Sequence, residues 1–119
     1  MTFDTGVLIA LERRKASALA LLRACEESRA TITIPAPVIA EWWRGSHRAL
    51  LEAGNLEAMT PTLAERAGEL LAKTGKSNAI DAAVIASAAV RGDLVVTGDP
   101  VDLRELAAAV RGVDVEGVT

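Results

Sequence analysis

Four acids in this chain sit where a carboxylate could do chemistry: Asp4 in "FDTGVLIAL", Glu41 in "PAPVIAEWWRG", Asp81 in "NAIDAAVIASA" and Asp99 in "VVTGDPVDLREL". Asp4 and Asp99 each end an apolar run. Asp81 interrupts the most apolar stretch of the protein, and Glu41 lies between Ile39-Ala40 and Trp42-Trp43. A lone ionised carboxylate in apolar surroundings is costly, so such acids are paired, hydrogen-bonded or bound to a cation. Three or four of them around one pocket cannot all ionise without a cation, and hard oxygen donors select Mg²⁺ or Mn²⁺. Each acid also has a plainer use. Asp99 before Pro100 is a standard helix start, Asp102 is then a first-turn acid favoured by the helix dipole, and Asp81, three residues after Asn78, fits a capping box. Asp4 fits a cap of the first helix, and Glu41 fits a solvent-facing or salt-bridged side chain. Spacing alone leaves both uses open; the joint arrangement of the four favours a cluster.

The elements that must position these acids alternate. Met1 to Phe3 is too short to stand as a strand by itself, but it leads into a turn at Asp4-Thr5-Gly6 and a helix from about Val7. Ala16 to Glu27 has helical spacing through Leu19, Leu22 and Ala24, and "ATITIP" from Ala30 to Pro35 reads as a strand stopped by proline. A helix begins near Pro37 and continues through "VIAEWWRGS", with a shorter one from His47 to Ala53. After a turn at Gly54-Asn55, Leu56 to Met59 is a short strand or a connector. Thr62 and Glu65 have capping-box spacing for a helix that ends at Gly75. "SNAIDAAVIASAAVRG" is the strongest helix, capped by Ser77 or Asn78 and closed by Gly92; apolar almost all round, it should be buried. "LVVT" reads as a central parallel strand, Asp99 to Val110 as a helix and "VDVEGV" as a last short strand. Such alternation implies a parallel sheet covered on both faces, with ligands at the carboxyl ends of the strands. If the strands before Asp4 and Asp99 are neighbours, those acids share one sheet edge.

Composition limits the function classes. A chain of 119 residues is most simply one domain, 1–119, and with 3% aromatic residues its core must be built from Ala, Val, Leu and Ile. The lone Cys25 cannot form an intrachain disulfide, no stretch is long and apolar enough for a membrane span, and the acid in "MTFDTGVLIALERR" does not suit a secretory signal. A soluble, cytoplasmic protein is expected. A net charge of −3 argues against coating nucleic acid by bulk charge, but not against cutting it, because the bases cluster locally: Arg13, Arg14 and Lys15, then Arg44, His47 and Arg48.

The four motifs, in this order and over nearly the whole chain, resemble those of the PIN-domain ribonucleases, and specifically of the VapC toxins of type II toxin–antitoxin pairs. The resemblance implies an α/β fold, a three-layer α/β/α sandwich around a central, mainly parallel sheet. It implies catalytic acids at Asp4, Glu41, Asp81 and Asp99, with Asp4, Asp81 and Asp99 holding one or two Mg²⁺ ions, for which Mn²⁺ substitutes. Thr5, Thr97 and Asp102 are weaker, supporting candidates. The activity implied is endonucleolytic cleavage of single-stranded or looped RNA, such as tRNA or rRNA, with Arg13, Arg14 and Lys15 against phosphates. It also implies a toxin homodimer and a cognate VapB antitoxin, for whose C-terminal segment Trp42 or Trp43 would line a groove; adjacent on one helix, the two point about 100° apart, so only one faces the core. His47 has no part in this chemistry. The chain departs from the family pattern at Gly6, where Ser or Asn is frequent, and at Gly98, where Asn, Arg or Ser is frequent; neither departure falls on an acid.

Two other classes compete. In a phosphate-handling hydrolase Asp4 would be the nucleophile, although a second acid is then wanted where Gly6 stands. In a non-catalytic interaction module the acids would be caps and nothing more.

Overall fold

The fold is described from a computed structural model, over residues 1–118. The strands are β1 (Thr2–Phe3), β2 (Thr33–Pro35), β3 (Asn55–Glu57), β4 (Leu94–Thr97) and β5 (Asp114–Gly117). The helices are α1 (Thr5–Glu12), α2 (Ala16–Ser28), α3 (Ala36–Trp42), α4 (Arg48–Glu52), α5 (Pro61–Thr74), α6 (Ala79–Arg91) and α7 (Pro100–Ala107). All strand pairs are parallel, in the order β3-β2-β1-β4-β5. Right-handed crossovers along that order send α1 to α4 over one face and α5 to α7 over the other. The packing agrees: α5, α6 and α7 touch one another, as do α1 and each of α2, α3 and α4. The result is the expected α/β/α sandwich, with a fully parallel sheet.

Small aliphatic residues do build the core. Val95 and Val96 of β4, Phe3 of β1 and Ile34 of β2 are buried between Val7 and Leu8 of α1, Val38 of α3 and the seven consecutive buried residues Ala82 to Ala88 of α6. Cys25 is buried with them. β1 forms with two residues because it is sandwiched: Thr2 pairs with Thr33 on one side and Val95 on the other. No helix among the described residues is long and apolar enough to cross a membrane.

Several boundaries differ from the sequence expectation, each for a local reason. α1 starts at Thr5 because Asp4 caps it. α3 ends at Trp42, where Trp43 turns extended at φ −63°, ψ 130°, and Gly45 follows at φ 90°; the two tryptophans therefore do not share a helix. The cap of α5 is Thr60, whose hydroxyl accepts the Leu63 N–H at 3.2 Å, so Thr62 is an ordinary helical residue. α7 is shorter than expected at both ends.

Candidate active site

In the order β3-β2-β1-β4-β5 the chain reverses direction between β1 and β4, so α1 and α7 leave neighbouring strands toward opposite faces. A crevice opens at that point, which is where open parallel sheets bind ligands. Here a cavity of about 290 Å³ is lined by Asp4, Glu41, Asp81 and Asp99 together with Arg13 and Lys15. Thr5, Gly6 and Gly98 complete its polar side, and Ile9, Ala10, Ile80 and Val118 its apolar side.

Asp4 stands at the end of β1 and is 8% exposed. Its Oδ1 accepts the Val7 N–H at 3.1 Å, and its Oδ2 accepts the hydroxyl of Thr97. That same Thr97 hydroxyl oxygen accepts the Asp99 N–H at 2.9 Å. One buried threonine thus ties the acid after β1 to the acid after β4. Burial pushes the Asp4 carboxyl above its usual range, against the hydrogen bonds from Thr97 and from the backbone of Val7, Gly98 and Gly6. Asp4 is therefore a helix cap and a cavity residue at once.

Asp99 resolves the other way. It occupies the N-cap position of α7, but at φ −134°, ψ 86° its side chain makes no cap bond, and its own N–H is held by Thr97. The capping use that Pro100 suggested is absent, and the carboxylate lines the cavity instead.

Asp81 lies in the first turn of α6, where the cap is Asn78: the Asn78 Oδ1 accepts from Ile80 at 3.1 Å and from Asp81 at 3.0 Å. The helix dipole favours an ionised acid here. Even so, its carboxyl is pushed up to about 6, by burial first and then by the negative charges of Asp4, Glu41, Asp102 and Asp99. Glu41 reaches the cavity from the exposed side of α3. No hydrogen bond or ion pair engages the carboxylate of Glu41, Asp81 or Asp99 among the described residues.

This donor set fits a hard divalent cation in kind, being all carboxylate and mutually repulsive. Among the described residues, however, no three His, Cys, Asp or Glu side chains are gathered tightly enough to enclose an ion by themselves.

The weaker candidates divide. Thr5 lines the cavity, and its hydroxyl is buried with no hydrogen-bond partner among the described residues. Asp102 is exposed and outside the lining, 3.7 Å from Lys76, which also pairs with Glu105. Arg13, Arg14 and Lys15 are all exposed, but only Arg13 and Lys15 line the cavity. Trp42 is a core residue whose Nε1–H donates to Glu12 at 3.0 Å. Trp43 is half-buried beneath the Arg48 guanidinium, 5.0 Å from its ring centre. His47 sits 3.2 Å from Glu12.

Sequence reasoning missed one feature. Gly6 and Gly98, noted as separate departures, touch each other: a Cβ on Gly6 would lie 2.8 Å from the Cα and N of Gly98 and 3.3 Å from Asp4 Oδ1. A glycine just after each of two strands is a signal of close backbone approach, but only the strand order pairs them.

Comparison with curated proteins returns no match. Solved structures share the fold. The toxin–antitoxin complex from Klebsiella pneumoniae aligns with a TM-score of 0.74 at 23% identity, covering 94% of this chain and 93% of that one. VapBC2 from Rickettsia felis, bound to a DNA fragment from its promoter, aligns with a TM-score of 0.73 at 16% identity over 99% and 98%. DNA-bound VapBC from Salmonella typhimurium aligns with a TM-score of 0.66 at 18% identity over 98% and 96%. The family model described as PIN domain matches residues 1–109, all four cavity acids included, and the chain belongs to the PIN-domain family.

Proposed function

We propose that this chain, one PIN domain over residues 1–119, is a metal-dependent endoribonuclease toxin of the VapC type, held in check by a VapB-like antitoxin. The observation that carries the reading is the convergence of Asp4, Glu41, Asp81 and Asp99 from four separate elements on one cavity, with Asp81 raised to about 6 in part by the others. Carboxylates that repel one another on a single cavity cost stability unless a cation is bound among them. Asp4, Asp81 and Asp99 would hold Mg²⁺, or Mn²⁺ in its place, partly through water, with Glu41 completing the charge. When bound, the metal lowers the pKa of a water molecule and neutralises the phosphodiester under attack. Thr97 holds Asp4 and the Asp99 backbone in place. Arg13 and Lys15, on the same cavity, face the phosphates of single-stranded or looped RNA, and the apolar side formed by Ile9, Ala10, Ile80 and Val118 excludes water from one flank.

The fold neighbours are toxin–antitoxin complexes, some bound to DNA, which supports a VapB-like partner; a toxin homodimer and a cytoplasmic site of action belong to the same proposal. Trp42 is buried in the core and Trp43 is half-buried, so of the two groove candidates Trp43 is the one assigned to that partner in this proposal. The two competing classes fare worse. Both Asp4 oxygens already accept hydrogen bonds, which weighs against a nucleophile, and Asp99 forms no cap bond, which weighs against acids serving as caps alone.

The test is cleavage of a total-RNA pool with Mg²⁺ or Mn²⁺ by the wild type, Asp4→Asn and Asp99→Asn. Discrete metal-dependent cuts absent in both variants support the proposal. No cleavage, with Mn²⁺ binding equal in all three proteins, sinks it.

A further inference from the structure

Gly6 and Gly98 do not need to be glycine for their backbone conformation. Neither has a positive φ, in contrast to Gly45, Gly75, Gly92 and Gly112. Gly6 even lies within α1, in the first turn, where alanine is the better helix former. What demands glycine is space. A Cβ on Gly6 would sit 2.8 Å from both the Cα and the N of Gly98, and one on Gly98 would sit 3.1 Å from the Gly6 Cα. All of these are backbone atoms, so no side chain can swing aside to make room. The first turn of α1 and the loop after β4 are therefore in direct backbone contact, beside Asp4, the cap of α1, and Asp99, the residue after Gly98.

We infer that the Gly6–Gly98 contact is a positioning device: it sets the approach of the Asp99 carboxylate to the Asp4 carboxylate and hence their joint affinity for a divalent cation. This rests on the metal-binding reading above. The contact works alongside the Thr97 hydroxyl. Thr97 ties the Asp4 side chain to the Asp99 backbone, and the glycine pair lets the start of α1 and the loop after β4 close to the distance that tie requires. A methyl at position 6 would push the Gly98 backbone outward and carry Asp99, its neighbour, away from Asp4. A methyl at position 98 meets a looser limit and would do the same to a smaller extent.

The experiment is Mn²⁺ titration of the wild type, Gly6→Ala, Gly98→Ala and Gly68→Ala, with circular dichroism to establish folding. Gly68 is a helical glycine of α5 with nothing within 4 Å of its would-be Cβ, so it controls for helix propensity. Gly6→Ala should weaken Mn²⁺ binding about tenfold, the scale of a lost outer-shell support; Gly98→Ala should weaken it less, and Gly68→Ala not at all. In an Asp99→Asn background Gly6→Ala should cost almost nothing further, an outcome that general destabilisation would not produce. Should Gly6→Ala fail to fold, Gly98→Ala carries the test. Folded Gly6→Ala and Gly98→Ala proteins that bind Mn²⁺ like the wild type overturn the inference. If wild-type Mn²⁺ affinity does not depend on Asp4, the metal reading falls, and the metal-free ¹H–¹⁵N spectrum decides this one. A displaced Asp99 amide in Gly6→Ala, unmoved in Gly68→Ala, keeps the positioning role; an unmoved amide in both removes it.

Discussion

The two ends of α6 hold acids in opposite states. At its start Asp81 faces Asp4, Glu41 and Asp99, and its carboxylate has no cation or hydrogen bond among the described residues; that carboxyl is raised to about 6. Beyond its end Asp93 accepts the Thr2 hydroxyl at 2.9 Å and lies 3.6 Å from the Arg91 guanidinium and 2.9 Å from the Met1 amine. Burial alone would raise the Asp93 carboxyl, but the hydrogen bonds from that amine and from Thr2 outweigh it and leave it lowered. Arg91 also donates to Ser87 and Thr2, both at 2.8 Å, and pairs with Glu57. One end of the helix has its charges compensated inside the chain, and the other leaves them to be compensated from outside. A protein selected for stability alone would treat both ends alike, so the uncompensated end is where function is to be sought.

The sharpest break of this contrast is at the uncompensated end. Asp4→Asn or Asp99→Asn should lower RNA cleavage on the order of a hundredfold or more, since each 1.36 kcal/mol of lost transition-state stabilisation is tenfold and a metal supplies several. Single-turnover assays at saturating Mn²⁺ measure it; near wild-type rates would mean that the acid does not serve the site. Thr97→Val is next. It removes the donor to Asp4 and the acceptor of the Asp99 N–H while keeping the side-chain shape, so Mn²⁺ affinity should fall roughly 10–100-fold. Unchanged affinity would show that the two acids are placed without it.

At the compensated end the effect should be on stability only. Arg91→Ala leaves Glu57, Ser87 and Asp93 short of a charged donor and should cost about 2–3 kcal/mol in urea unfolding, with RNA cleavage unchanged. A loss of cleavage in the folded variant would blur the division between the two ends.

How much of this was legible in the sequence depends on whether local chemistry decided the outcome. α6 and β4 were legible because a long apolar run between Asn78 and Gly92, interrupted before Arg91 only by Asp81 and Ser87, and a short one between Asp93 and Gly98, leave few alternatives. The three-layer parallel fold followed from that alternation. β1 was not legible as a strand, since two residues form one only when paired on both sides. The end of α3 was hidden because nothing in "EWWRGS" marks Trp43 as extended. The four acids were visible as a set, but not which of them cap helices. Asp4 caps and Asp99 does not, and the difference is made by Thr97 reaching both from β4. The Gly6–Gly98 contact needed the strand order, which no local pattern carries.

The smallest effect tests the contrast most directly, because the two ends predict opposite signs. In the folded chain the Asp81 carboxyl moves from its ordinary 3.8 to about 6, so the folded state keeps a proton that the unfolded chain gives up between those values. The stability this group allows is intact below about pH 4 and lost as pH rises through about 6. Asp81→Asn should therefore melt above the wild type at pH 7–8, by on the order of 1 kcal/mol once solvent screening at this half-buried group is allowed for, and converge with it below pH 4. The Asp93 carboxyl is lowered, so its contribution is present at neutral pH and lost as pH falls below its ordinary range; Asp93→Asn should melt below the wild type at pH 7 and converge with it in acid. Thermal melts of the three proteins in chelator across this pH range read both signs at once. Added Mn²⁺ should then raise the wild-type midpoint at neutral pH by more than that of Asp81→Asn, because the cation relieves in the wild type the repulsion that the substitution has already removed. Equal gains would place the cation elsewhere than at the start of α6.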